Sequence, residues 1–226
     1  MKFLTYSHII AGALSLIVAP IAMVVLKGGK AHRLSGKLFF WAMTWIFVSA
    51  VILSVYKWKP FLLMVSVISY YLAVSGYRTL FQKQLSQGKG IKWYDWLAAI
   101  ATALFMLGFA GWGVYLLLNG SAGDGVVLLF VFCVGGLVSV RSEVVAFIKP
   151  PDDKNRWLYN HIGKMAGGFI ASVTAFSVNV LTFVPGIWQW IWPTLAGTPF
   201  IIYSVRWYKK RMAEGARITD VVQLKR

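Results

Sequence analysis

Few side chains in this sequence can do chemistry, and they sit in unexpected company. His8, Arg141, Glu143, His161 and Lys164 lie inside long apolar runs, while His32, Arg33, Arg78 and Asp95 border such runs. Tyr70 and Tyr77 share one helical stripe with Ser66 and Ala73. An ionisable group in an apolar run costs a few kcal/mol unless it finds a partner, so each one marks a candidate site. Neutral imidazoles suit axial ligation of haem b, or a zinc ion when joined by further ligands. His8, His32 and His161 are therefore the candidate cofactor ligands, with His32 and His161 the pair for a metal. Arg33, Arg78, Arg141 and Lys164 are the candidate contacts to propionates or another anion. Glu143, Tyr70 and Tyr77 complete the set as supporting groups. A structural reading competes at every position. Arg141 and Glu143 are also suited to bridging a neighbouring helix, Lys164 to snorkelling, and His8 to bonding a second helix.

These groups must be positioned by membrane helices. Of the 226 residues, 58% are hydrophobic and only 13% charged, with mean hydropathy +0.67, whereas soluble domains are about 25% charged. A water-soluble core is excluded. The net charge of +16 does not point to nucleic acid, because the cations are confined to gaps between apolar runs, as in membrane loops. The expected partners are the lipid bilayer and other membrane subunits. Cys133 is alone in an apolar run, which leaves no disulfide framework and reads as a small buried hydrophobe.

Seven spans are predicted, over 3–26, 38–56, 61–80, 96–118, 126–148, 157–183 and 187–205, making 1–205 one all-α transmembrane helical domain and 206–226 a basic tail. The stretch 27–37, with three glycines, His32 and Arg33, reads as the first inner loop. Lys27, Lys30, Arg33, Lys37, Arg78, Lys83, Lys89, Lys92, Lys149, Lys154, Arg156 and the tail cations fall on one side, against Lys2, Lys57 and Lys59 on the other. The positive-inside rule then places the N-terminus outside and the tail in the cytoplasm.

Depth decides which groups can meet. At the helical rise, His8 lies about 9 Å below the outer edge and His161 about 7 Å inside the inner edge, so straight helices hold them about 20 Å apart. One ion cannot bridge them unless helix 1 breaks, for which Pro20 is the candidate kink. Glu143, Arg141, His32, Arg33 and Arg78 are all near the inner edge and are expected to converge with His161 and Lys164. Helix 6 supplies a polar stripe through His161, Lys164, Met165, Gly168, Ser172, Ala175 and Asn179. Helix 1 supplies a small-residue face through His8, Ala11, Gly12, Ser15 and Ala19, suited to close helix contact or to a flat cofactor.

The order of motifs resembles a known family. Tyr6-Ser7-His8, then Lys27-Gly28-Gly29 with His32-Arg33 and Gly36-Lys37, Ser75-Gly76-Tyr77-Arg78, and Asn160-His161-Ile162-Gly163-Lys164-Met165 with Gly167-Gly168 and Thr174-Ala175-Phe176 are similar to the bacterial membrane proteins grouped as domain of unknown function 2306. The resemblance covers most of helices 1 to 6. It implies a multi-pass protein of the bacterial inner membrane and no particular activity.

Three functional classes follow from the residues. A haem- or metal-binding redox protein uses the histidines, although His8 lacks an outer partner and His161 needs His32 to fold inward. A transporter, sensor or accessory subunit uses a cationic inner vestibule for an anionic ligand or lipid headgroup. A metal-dependent hydrolase through His32, His161 and Glu143 ranks last, because further carboxylates are lacking. No nucleophile elbow, phosphate loop or dinucleotide fingerprint is present.

Overall fold

A backbone in hydrocarbon must satisfy its own hydrogen bonds, which long apolar runs achieve by forming helices. The computed structural model describes residues 1–216, and these form seven α-helices with no strand among them. They are α1 (Lys2–Val24), α2 (Lys30–Tyr56), α3 (Pro60–Arg78), α4 (Trp93–Leu118), α5 (Asp124–Ile148), α6 (Arg156–Val180) and α7 (Trp188–Ala213). Five of them, α1 to α5, are long and apolar enough to cross a membrane.

The turns follow from local chemistry. Gly28 takes a left-handed φ of 75°, which costs glycine nothing and reverses the chain after α1. Pro60 occupies the first turn of α3, where its missing N–H is no loss. Pro150 and Pro151 follow directly after α5.

Two boundaries differ from expectation. The first inner loop is much shorter than 27–37, because α2 begins at Lys30. Lys30, His32, Arg33 and Lys37 therefore project from its opening turns: polarity ends the apolar run there, but nothing in these residues breaks a helix. At the other end α7 continues to Ala213, eight residues into the expected tail, with Lys210 and Arg211 in its last turn beside the carbonyl end of the dipole. The rest of that tail, 217–226, lies outside the described residues. Pro20 does not break α1, which runs through it.

Helices α3 and α6 organise the bundle. α3 packs on α2, α4, α5 and α6, while α6 packs on α1, α3 and α7. One core cluster joins Met64 and Ile68 of α3 to Met106 of α4 and to Leu129 and Cys133 of α5. A second joins Val18 and Ala19 of α1, Phe39 and Met43 of α2 and Ala73 of α3. Gly76 lets α3 and α6 approach: a Cβ there would stand 3.0 Å from the Lys164 Cβ and 3.2 Å from the Met165 backbone nitrogen. The carboxyl-terminal halves of α1, α3 and α7 meet the amino-terminal halves of α2 and α6 around one cavity. The chain thus alternates direction through the bundle.

Candidate ligand-binding site

The cavity at that end encloses about 360 Å³ and is lined from α1 by Ala19, Ala22 and Met23, from α2 by His32, Arg33, Gly36, Lys37 and Phe39, from α3 by Tyr77, and by Leu80 in the turn that follows α3. Lys27, Lys83, Trp157, His161, Met165, Phe200, Ser204 and Tyr208 also face it. Its size is at the lower end of ligand pockets. Most of its wall is apolar. Four cations line it, Lys27, Arg33, Lys37 and Lys83, and no acid does so among the described residues.

Two of the three histidines meet here. The His32 and His161 ring centroids are 6.3 Å apart with the planes at 67°. His32 Nδ1 is 2.8 Å from the Ala22 carbonyl oxygen, and His161 Nδ1 is 2.9 Å from that of Gly76. A carbonyl only accepts, so both Nδ1 atoms carry the proton, and in the neutral ring Nε2 is left with its lone pair. Such a second bond to a backbone carbonyl is the usual way a ligating imidazole is oriented. The inward placement of His32 rests on α2 starting early, which puts it in the first turn of a helix.

The cations are held as well. The Lys27 ammonium donates to the Ala22 carbonyl at 3.1 Å and to that of Met23, closing the carboxyl end of α1. Burial pushes its pKa below the ordinary lysine value, so an anion beside it regains the electrostatic energy that desolvation removed. Arg33 donates to the Gly28 carbonyl, and the Lys83 ammonium lies 5.3 Å from the Trp157 ring centroid. Tyr77 stacks on Phe40 at 4.5 Å.

The other expected members go elsewhere, so the single inner convergence divides into separate groups. Glu143 and Lys164 pair with each other, Lys164 Nζ donating to Glu143 Oε2 at 2.6 Å, and the Tyr71 hydroxyl donates to the same oxygen at 2.5 Å. Lys164 is therefore committed to a carboxylate and does not line the cavity. Arg78 forks onto Asp95, with Nε to Oδ1 at 2.7 Å and Nη2 to Oδ2 at 2.9 Å, and this clamp joins α3 to the start of α4. Arg141 is exposed on α5, its side chain turned away from the core that holds Glu143 two residues on. Tyr70 stacks on Phe47 at 4.4 Å and meets Thr44 at 3.3 Å, joining α2 to α3. His8 lies apart from the other histidines: its Nδ1 is 2.8 Å from Ser49 Oγ, whose own proton goes to the Trp45 carbonyl at 2.6 Å, so His8 is the donor.

The polar stripe on α6 is also shorter than expected. Asn179 is exposed and bonds the Ala175 carbonyl of its own helix, while the buried Ser177 accepts the Trp192 indole N–H at 2.7 Å. Lys27, Lys37, Lys83, Trp157 and Tyr208 line the cavity without standing among the sequence candidates for it. All were inner-edge residues by the charge count or by proximity to helix ends, which was the available signal.

No three His, Cys, Asp or Glu side chains among the described residues come close enough to hold one ion. No family model, curated protein or solved structure matches the chain.

Proposed function

We propose that this is a seven-span protein of the bacterial inner membrane, with its N-terminus outside, that binds an anionic and largely apolar ligand at the inner end of the bundle. It acts there as a transporter, sensor or accessory subunit. The observation that carries the reading is the cavity itself: apolar walls, a lip of four cations and, among the described residues, no acid and two imidazole nitrogens without a protein partner. The seven-span topology is supported by the length of α6 and α7, which follow the five apolar helices and at 25 and 26 residues are about 37 Å or more long. The motif resemblance to the family of domain of unknown function 2306 agrees with the same placement.

Native mass spectrometry of the detergent-solubilised protein tests the reading. An anionic amphiphile should stay bound to the wild type, and Lys37→Gln with Lys83→Gln should release it while leaving the melting temperature unchanged. Binding that ignores these cations overturns the proposal.

A second reading, haem b with a redox role, is favoured by the spacing of the imidazoles. His32 and His161, whose ring centroids are 6.3 Å apart, would hold the group, which would supply one-electron redox chemistry there. Lys27, Arg33, Lys37 and Lys83 would meet the propionates, in place of Arg78, Arg141 and Lys164. An ultraviolet-visible spectrum, air-oxidised and then dithionite-reduced, decides this. A Soret band lost in both His32→Ala and His161→Ala supports haem, and a colourless protein from haem-replete cells removes it.

A further inference from the structure

A second cavity, of about 240 Å³, opens beside the first along α6 and α7. The two share Met23, Ala166 and Phe200, so they adjoin. The second cavity lies between α6 and α7, which supply its two walls, with Met23 near the end of α1 as its one residue from that helix. Beyond the shared residues its wall includes Phe169, Ile170, Val173, Ala196 and Ile201, and it has no charged residue. The one hydrogen-bond donor among its side chains, the Trp192 indole N–H, is already given to Ser177. This stretch therefore offers hydrocarbon contact only. From Ala166 to Val173 it follows α6 for about 10 Å. Ala196 and Phe200 are exposed on its α7 side, which opens it sideways to the acyl chains of a bilayer.

A cationic pocket, without an acid among the described residues, beside an apolar groove matches one ligand shape, a charged head with a hydrocarbon tail. Resting on the function proposed above, we propose that the ligand is an anionic phospholipid entering from the inner leaflet. Its phosphate head sits at Lys27, Arg33, Lys37 and Lys83, and one acyl chain lies in the groove between α6 and α7. The tail gains nothing by leaving bilayer hydrocarbon for protein hydrocarbon, because lipid is as apolar as the groove. Selectivity therefore lies in the head, and the groove sets which molecules carrying that head can seat. The lateral opening lets a lipid enter without its tail crossing water.

Native mass spectrometry with phosphatidylglycerol, phosphatidylcholine and chain-free glycerophosphoglycerol tests this, using the wild type, Ala196→Phe and Lys37→Gln/Lys83→Gln. Ala196 is exposed in the groove, so a phenyl ring there fills the tail path without crowding the core. The expected result is retention of phosphatidylglycerol over phosphatidylcholine by the wild type, and loss of that preference in both variants. Chain-free headgroup binding, where seen, should survive Ala196→Phe and fail in the lysine variant. Unchanged phosphatidylglycerol binding in Ala196→Phe overturns the tail assignment and leaves the anion site standing. A wild type that holds the two lipids equally removes the anion site and the tail assignment together. If Ala196→Phe melts early, Val173→Phe on the opposite wall replaces it, with the same outcomes.

Discussion

At the scale of single residues, the charges inside the bundle divide by whether they already have a partner. Glu143 is buried, and its Oε2 accepts from both Lys164 and Tyr71. Removing one member of a buried ion pair leaves an uncompensated charge and costs about 3–5 kcal/mol, whereas replacing both by apolar groups of like volume is often neutral. Glu143→Gln should therefore lower the melting temperature in detergent markedly, and Glu143→Leu combined with Lys164→Met should recover most of the loss. A double variant as unstable as the single one would show that the pair does more than join α3, α5 and α6. Lys27 has spare capacity by comparison, being bonded only to α1 carbonyls. Its pKa is lowered by burial, so above that value the free protein loses the charge that attracts an anion. Anion affinity should fall as pH rises, beginning below the range of an ordinary lysine, and Lys27→Gln should flatten that profile in a binding titration run from neutral to alkaline pH.

Helices meet through a few specific contacts, and at this scale the end of α3 is decisive. Arg78 holds Asp95 with two parallel bonds, and Asp95 in turn accepts the Lys92 backbone N–H at 2.9 Å, which caps α4. A lysine supplies a point charge but not the fork. Arg78→Lys should melt below the wild type and above Arg78→Ala, with ligand binding in the cavity unchanged in Arg78→Lys. Loss of binding in Arg78→Lys at intact fold would return Arg78 to the site. The same end of α3 shows how phase decides a partner. Met64, Ile68, Tyr71 and Ser75 recur at helical spacing on the buried side, so Tyr71 reaches Glu143, while Tyr70, one residue earlier, faces Thr44 and Phe47. A stripe through Ser66, Tyr70 and Tyr77 is visible in the sequence, but which stripe faces α5 is not, because both carry apolar and hydroxyl groups.

For the whole molecule the testable quantity is its orientation. Cys133 is the single cysteine and is buried, so introduced cysteines can be labelled against a quiet background. Trp58→Cys, in the turn after α2, should react with an impermeant maleimide on intact cells, and Lys89→Cys, in the connection before α4, only after permeabilisation. The reverse pattern would invert the topology and place the cavity on the outer face.

Sequence alone determined the class and most of the helices, because runs of twenty or more apolar residues have one stable form in hydrocarbon. It also determined that His8 and His161 are separated, since helical rise turns residue number into depth. Boundaries at charged ends were not legible: Lys30 to Lys37 and the start of the tail are polar without being helix breakers, so they read as loop and are helix. Nor was the division of the inner charges. His32, Arg33, Arg78, Glu143, His161 and Lys164 share nearly one depth, and depth is all that a one-dimensional reading supplies. Only the tertiary structure decided their company, because the rotation of each helix about its axis is set by packing against its neighbours. That rotation pairs Lys164 with Glu143 and Arg78 with Asp95, turns Arg141 outward, and brings His32 and His161 together beneath the cationic lip.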